Sequence, residues 1–293
     1  MVKKNTKQIV VDEILVNEKL INILMKRVTT SYSECAHKGK GKSNPDSDRY
    51  QLEYMLIVLQ LGCAWRELSV LKPKYKPDTI RKKYNRFVDL GIFDDVNNEL
   101  LKKYDNVKPH EDTKIKIIDS TDIINKNAPN DVTGFGKKIK NKRAIKVHLV
   151  ADTNKVIYSA DITPANVHDS KKTEDLIENA EIPIEGSYHN NVYLAADKGY
   201  ISKGTADNLK TKNIILTCPP KKNQKHIIKT KKRTEALEKR YIIEFVNNLL
   251  KRKYKRINNL YNKKIRYHLA FIKLANMIII LKYFQQNNIK LPI

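Results

Sequence analysis

Cysteine is scarce in this chain of 293 residues: Cys35, Cys63 and Cys218 are odd in number, widely spaced, and form no Cys-x-x-Cys pair. Such usage excludes a cysteine zinc framework and fits a reducing compartment. Cys35 stands near His37 in ECAHKG, but two ligands do not complete a metal site, and the stretch reads as a solvated loop. Long apolar runs are scarce too. The most apolar, HLAFIKLANMIIILKYF, is broken by His268, Lys273, Asn276 and Lys282; it reads as a buried terminal helix rather than a membrane span. The N-terminus is polar, without the apolar segment of a signal peptide. No internal repeat is visible, and no membrane partner is expected.

Acidic residues are the third shortage. Asp and Glu number 32 against 57 Lys and Arg, a net charge of +25. A surplus of that size points to a polyanion, nucleic acid first. A Lys-, Asn- and Ile-rich genome bias accounts for part of the Lys but not for clustering: residues 221–266 hold 17 basic and 3 acidic side chains. The apolar fraction, 41%, is ordinary and sufficient for a core. The length suits one large domain or two modest ones.

Residues 1–46 read as a weakly apolar leader ending in a Lys-, Gly- and Ser-rich linker, HKGKGKSNPDS. Residues 47–110 read as helical. Leu52, Met55, Leu56 and Leu59 follow the i, i+3, i+4, i+7 spacing of one buried helix face. GCAW turns the chain, RELSVL makes a short second helix, and KPKYKP is a loop with two prolines. Asp78 is placed to cap a third helix, with Ile80, Tyr84, Phe87 and Val88 on its apolar face and Arg81, Lys82, Lys83 and Arg86 on the rest. This succession resembles a helix-turn-helix unit, in which Arg81, Lys82 and Arg86 would contact DNA. A plain helical bundle with solvated basic faces is the alternative.

From residue 111 to 293 the pattern changes. KIKIIDST reads as a strand ending on Asp119, and AIKVHLVAD (144–152) and KVIYSADIT (155–163) as a second and third. The loop between the first two carries Gly134, Gly136 and the basic run Lys137, Lys138, Lys140, Lys142 and Arg143. There follow a helix over 168–179, a strand over 192–196, a helix near 202–211, a strand over 213–219 and a long helix over 233–256. This is the α/β ribonuclease-H-like order: a five-stranded mixed sheet flanked by helices, here preceded by an all-α N-terminal domain.

In NVYLAADKGY (191–200), Val192, Leu194, Ala195 and Ala196 form a short buried strand that Gly199 breaks. Asp197 therefore falls at the carboxyl end of a strand, the edge where α/β sheets collect ligands. Asp119 ends the first strand, the neighbour of this one in a ribonuclease-H-like sheet. A third acid is available on the last helix. Glu244, with Arg240 four residues before it and Lys251 seven after, lies on one stripe, while Ile243, Val246 and Leu250 pack inward. Three converging carboxylates need a cation, and an all-oxygen set suits Mg²⁺ or Mn²⁺. Two such ions, about 3.5–4 Å apart, can hold the attacking and leaving oxygens of a phosphodiester displacement. Arg240 and Lys251 would contact phosphate beside the acid, and Lys137, Lys138, Lys142, Arg143 and Arg256 would extend the basic surface for DNA. Taken singly, Asp119 and Asp197 read as turn formers, with Asp122 a rival to the first. Glu244 alone reads as a surface residue, like Glu235 and Glu238.

The order IIDST, AIKVHLVAD, NVHDS, AADKGY and Arg-x3-Glu-x6-Lys resembles the DDE transposases of bacterial insertion sequences. The branch it resembles is the insertion sequence five type of the insertion sequence four/five superfamily, related to the Harbinger elements of eukaryotes. GCAWRELSVLKPKYKPDTIRKKYNRF is similar to the N-terminal region of that branch, so the resemblance spans residues 48–284. It implies Asp119, Asp197 and Glu244 as the catalytic, metal-holding carboxylates. It also implies cleavage at the ends of a mobile element and joining of the 3′-hydroxyl to target DNA. The partners implied are double-stranded terminal repeats and target DNA, with a homodimer on DNA because two ends must be held together. Leu237 replaces the Tyr with which the third motif often opens. His168 and Asp169 fall at the family's His-Asp position, where Asp169 is expected as a helix cap at the rim of the site. His148 and Asp152 are expected to serve sheet packing and a turn. A bacterial chain would work in the cytoplasm at the nucleoid, a viral one in the host nucleus or viral factory. A nuclease that no longer transposes and a domesticated DNA-binding protein are the alternatives.

Overall fold

The computed structural model describes residues 6–36, 44–109, 114–124, 131–136, 139–140, 142–187, 190–220, 230–259 and 264–290, with backbone only for 6–15, 35 and 36. The chain divides into two compact units, one of Met1–Leu100, Tyr254–Ile257 and Arg266–Ile293, the other of Leu101–Lys253 and Asn258–Ile265. This grouping differs from a division at residue 110, and it returns the C-terminal helix to the helical unit.

The helical unit begins with α1 (Thr6–Ala36), so the stretch read as a leader is largely a helix. Val16, Leu20, Leu24, Val28 and Tyr32 recur every four residues and are buried, which gives α1 a tertiary seat. In α2 (Pro45–Leu61), Asn44 Oδ1 accepts from Ser47 N at 3.1 Å, Pro45 opens the helix, and Asp46 and Asp48 face the positive end of its dipole. Gly62 ends it at φ 71°, and a Cβ there would meet Lys255 Cβ at 2.6 Å, so both backbone and space call for glycine. A 3₁₀ turn, Trp65–Leu71, leads to α3 (Pro77–Asp89), and α4 (Ile92–Val107) follows. Leu52, Met55, Leu56, Leu59, Ile80, Tyr84 and Phe87 are buried, as their spacing predicts. Asp78 does not cap α3. The cap position is Lys76, with no side-chain bond, and Asp78 sits inside the first turn.

The second unit is built on β1 (Ile115–Ile124), whose apolar, β-branched residues Ile115, Ile117, Ile118 and Ile123 are buried. The sheet also contains β2 (Gly134–Gly136), β3 (Lys142–Asp152), β4 (Ile157–Pro164), β5 (Val192–Ala195) and β6 (Ile214–Thr217). β3 pairs antiparallel with β1 over Lys116–Ile124, while β5 pairs parallel with β1 over Ile115–Ile117 and passes on to β6. The far edge of β3 is shared by β4 and the short β2. A meander extended by two parallel strands is the ribonuclease-H-like sheet, with β2 as an addition. The glycines permit β2: a Cβ on Gly134 would meet Asn166 Oδ1 at 2.0 Å. β1 does not stop at Asp119. Its ladder with the long β3 carries it to Ile124.

A 3₁₀ turn, Asp169–Lys172, and the short α5 (Thr173–Glu178) replace the single helix read over 168–179. α6 (Lys203–Thr211) follows β5. The long helix read over 233–256 is three: α7 (Lys231–Glu238), α8 (Tyr241–Arg252) and α9 (Lys255–Asn258). At the first break Arg240, Ile242 and Ile243 donate to the carbonyls of Leu237, Lys239 and Arg240, three residues back instead of four. That tighter turn interrupts the α-helix without proline or glycine. α10 (Ile265–Gln286) is apolar nearly all round. By length and composition it could cross a membrane, but 72% of its most apolar window is buried, and its Asn276 Nδ2 donates to Asn97 Oδ1 at 3.0 Å. It is the core helix of the helical unit.

Candidate active site

Two aspartates follow the point where β1 and β5 part. The last parallel pair is Ile117 opposite Ala195, and the same register continued two residues sets Asp119 beside Asp197. The chain supports that continuation: Ala196 N still donates to Thr217 O at 2.9 Å, and Asp197 is extended at φ −75°, ψ 167°. Neighbouring strands lie about 4.8 Å apart. Asp197 is exposed and Asp119 half-buried. A 3₁₀ turn, Lys198–Tyr200, then drops the Tyr200 phenol into the interior. Burial first, then the charges of Asp169, Asp119 and Asp197, push its pKa upward, so one phenol senses all three carboxylates. Burial and the Asp197 charge push the Cys218 thiol up to about 12.

A second layer of charge supports the pair. Asp169 Oδ1 meets Lys146 Nζ of β3 at 2.8 Å and accepts from Ser120 Oγ at 2.9 Å. Lys146 Nζ also donates to Val167 O at 2.7 Å. A Cβ on Gly199 would lie 4.0 Å from Asp169 Oδ2. Asp169 thus links the residue after Asp119 to the turn after Asp197. It is not the helix cap. That position is His168, whose Nδ1 lies 2.8 Å from Ser170 Oγ. His148 is buried against Thr163 Oγ1 at 2.8 Å, and desolvation draws its pKa down to about 4. Asp152 Oδ1 accepts from the backbone of Asn154 and Val156, organising the β3–β4 turn.

α8 lies against β1 at this edge. Its buried stripe is Ile243, Val246, Asn247 and Leu250, apolar but for the Asn. Asn247 Nδ2 donates to Asp119 Oδ2 at 3.0 Å, and Lys251 Nζ donates to Asp122 O at 3.0 Å. Burial lowers the Lys251 pKa, opposed by the charges of Asp122 and Asp119. Glu244 is exposed one turn earlier, about 60° round the helix from Asn247. Among the described residues no three Asp, Glu, His or Cys side chains are placed to hold one ion. Asp119 and Asp197 thus follow the end of one parallel pairing, while Glu244 lies on the exposed face of α8, whose inward stripe turns Asn247 to the sheet. The oxygen-only donors fit Mg²⁺ or Mn²⁺ in kind; the third carboxylate does not complete the set in this arrangement. Sequence reasoning passed over Asn247, Ser120, Lys146 and Tyr200. Asn247 carried a signal, a polar residue on an otherwise apolar helical stripe.

The basic residues expected to meet DNA fall into distinct settings. Arg81 and Lys82 pair with Asp78 at 2.6 and 3.1 Å on the exposed surface, pairs weak enough for a phosphate to displace. Arg86 stacks on the Tyr32 ring at 4.8 Å, and Lys83 is committed to the buried Asp48. Lys142 is exposed at the start of β3, while Arg143 donates to Thr133 Oγ1 at 3.1 Å and lies over Phe135. Arg240 is half-buried at the α7–α8 break. Lys137 and Lys138 lie outside the described residues. Arg256 is a correction. It is fully buried, donates to Cys63 O at 2.7 Å and stands over Trp65 and Phe271, so it serves the core and not a polyanion.

Neither the curated proteins nor the solved structures gave a match to this chain. A family model did: that of the transposase DDE domain matches residues 110–280, more than half of the chain, and takes in Asp119, Asp197, Glu244 and the whole sheet. With the strand order and the paired aspartates already in place, that match makes the chain a member of the transposases with a DDE domain.

Proposed function

We propose that this transposase cuts DNA at the ends of an element of the insertion sequence five type and joins the freed 3′-hydroxyl to target DNA. By the family motif Asp119, Asp197 and Glu244 are its metal-holding carboxylates, Glu244 joining the other two only by leaving the exposed place it has on α8 here, and two Mg²⁺ or Mn²⁺ are its cofactor. The observation that supports this reading is the parallel pairing of β1 with β5, which ends at Ile117 opposite Ala195, two residues before Asp119 and Asp197, inside the matched domain. The ions, when bound, supply an activated oxygen nucleophile and charge stabilisation for the leaving oxygen. This chain's residues do the rest. Asn247 and the Asp169–Lys146–Ser120 group hold the two strands at the site, and Lys251 keeps a cation near Asp119. Arg81, Lys82, Arg86, Lys142, Arg143, Arg240, Lys137 and Lys138 offer positive charge along the DNA. Two ends held together imply a homodimer on DNA.

The test is cleavage of a duplex carrying the element end, with Mg²⁺, by D119N, D197N and E244Q, with DNA affinity measured separately. Each variant is expected to lose cleavage and keep affinity within a few-fold. A variant that cuts at the wild-type rate removes its residue from the site. Affinity should fall steeply with salt, since phosphate contacts release counterions.

A further inference from the structure

The inward stripe of α8 carries a cost that an apolar residue would not. Asn247 is 8% exposed, between Ile243, Val246 and Leu250. A buried amide is unfavourable unless both its ends find partners. Nδ2 finds Asp119 Oδ2 at 3.0 Å. Oδ1 is buried with no hydrogen-bond partner among the described residues. The orientation follows from chemistry: an ionised carboxylate only accepts, so the amide must turn its NH₂ toward it and leave the carbonyl unpaired.

We propose that Asn247 is a positioning residue for the cleavage reaction, holding Asp119 in the rotamer that receives a divalent ion at the cost of leaving its own buried oxygen unpaired. This rests on Asp119 as the first metal-holding carboxylate. Asn247 lies outside the three acids of the family motif, and its place is set by the same helix turn that leaves Glu244 exposed. Groups that orient a metal-binding side chain typically change metal affinity or activity by about 10–100-fold when removed.

The experiment compares wild type with N247L, which keeps the volume and loses the amide, N247A, and N247Q, which keeps the amide. Three quantities are read on the full chain: Mn²⁺ binding, from the electron paramagnetic resonance signal of free Mn²⁺; the Mg²⁺ concentration that half-saturates single-turnover cleavage; and the melting temperature without metal. The expected result for N247L and N247A is Mn²⁺ binding weakened about 10–100-fold. The Mg²⁺ requirement rises in step, and N247Q recovers part of both. Should N247L fail to fold, N247A carries the comparison. Wild-type Mn²⁺ binding and Mg²⁺ requirement in these variants, with melting alone altered, would mean packing only and overturn the proposal. D119N in parallel separates the two layers. If D119N binds Mn²⁺ and cuts as wild type, the underlying site falls; if D119N loses both while N247L and N247A keep both, only the role of Asn247 falls.

Discussion

At the Ile115 end of β1 charge is sealed in; at the Asp119 end it is left open to solvent. Lys116 is 3% exposed, opposite Asp152 in the β1–β3 register, with its ammonium 4.0 Å from the Tyr158 ring centre. Tyr104 donates to Asp152 Oδ2 at 2.6 Å, and Lys108 binds both Asp105 and Tyr158. Burial draws Lys116 down to about 8, against the pull of Asp152, and burial raises Asp152, against the pull of Lys116. A few residues along the same strand Asp119 is half-buried, and Asp197, just past the end of the neighbouring β5, is exposed. The residue types are alike; access to water differs. Charges enclosed with partners become structural, and breaking one partner is then costly. Carboxylates left accessible at the end of a strand can still be neutralised by a bound cation.

The largest effects should divide along that line. D197N is expected to slow cleavage by about 10²–10³-fold or more. Its melting temperature should be unchanged or raised, since one of two adjacent like charges is gone. D152A should do the reverse, costing about 3–5 kcal/mol with cleavage per folded molecule intact. If D152A left melting unaltered, or D197N lowered it by as much, the contrast would disappear. K146M lies between the two, because it strips a nearly buried Asp169 of its cation. About 3 kcal/mol of stability should go, together with part of the cleavage rate, as denaturant titration and single-turnover kinetics would report.

Smaller is the effect of pH on the sealed end. Lys116 titrates near 8 in the fold and near 10.5 unfolded, so between those values the unfolded chain binds more protons and stability rises with pH. Above about 10, Tyr158, whose pKa burial raises, reverses the trend. Each pH unit is worth about 1.4 kcal/mol at most, and K116M should remove the rise between pH 8 and 10. Smallest is S120A, which frees one acceptor of Asp169 and should cost about 1 kcal/mol with a few-fold change in cleavage. A loss as large as that of K146M would show that Ser120, not Lys146, holds the Asp169 group.

Much of the fold could be read along the chain. Runs of β-branched residues mark β3, β4, β5 and β6 to within a few residues, and Gly199 places Asp197 where a strand ends. Helices were less legible where no residue breaks them. Nothing in LEKRYII announces the break at Arg240, a run of hydrogen bonds that reach three residues back instead of four. Arg256 reads as one more base in a basic stretch; it is the most committed of them to the interior. The end of β1 escaped for a related reason. Strand length depends on the partner, and β3 is longer than β5.

By itself the sequence determined the order of the elements, the excess of positive charge and the aspartate that follows the β5 strand, because these follow from composition, local periodicity and turn chemistry. Tertiary structure alone decided that Asn247 rather than Glu244 faces Asp119, that Arg256 is withdrawn from solvent, and that α10 completes the helical unit. Those outcomes depend on the angle at which each helix meets its support, and that angle is set by side chains far away in the chain competing for the same buried space.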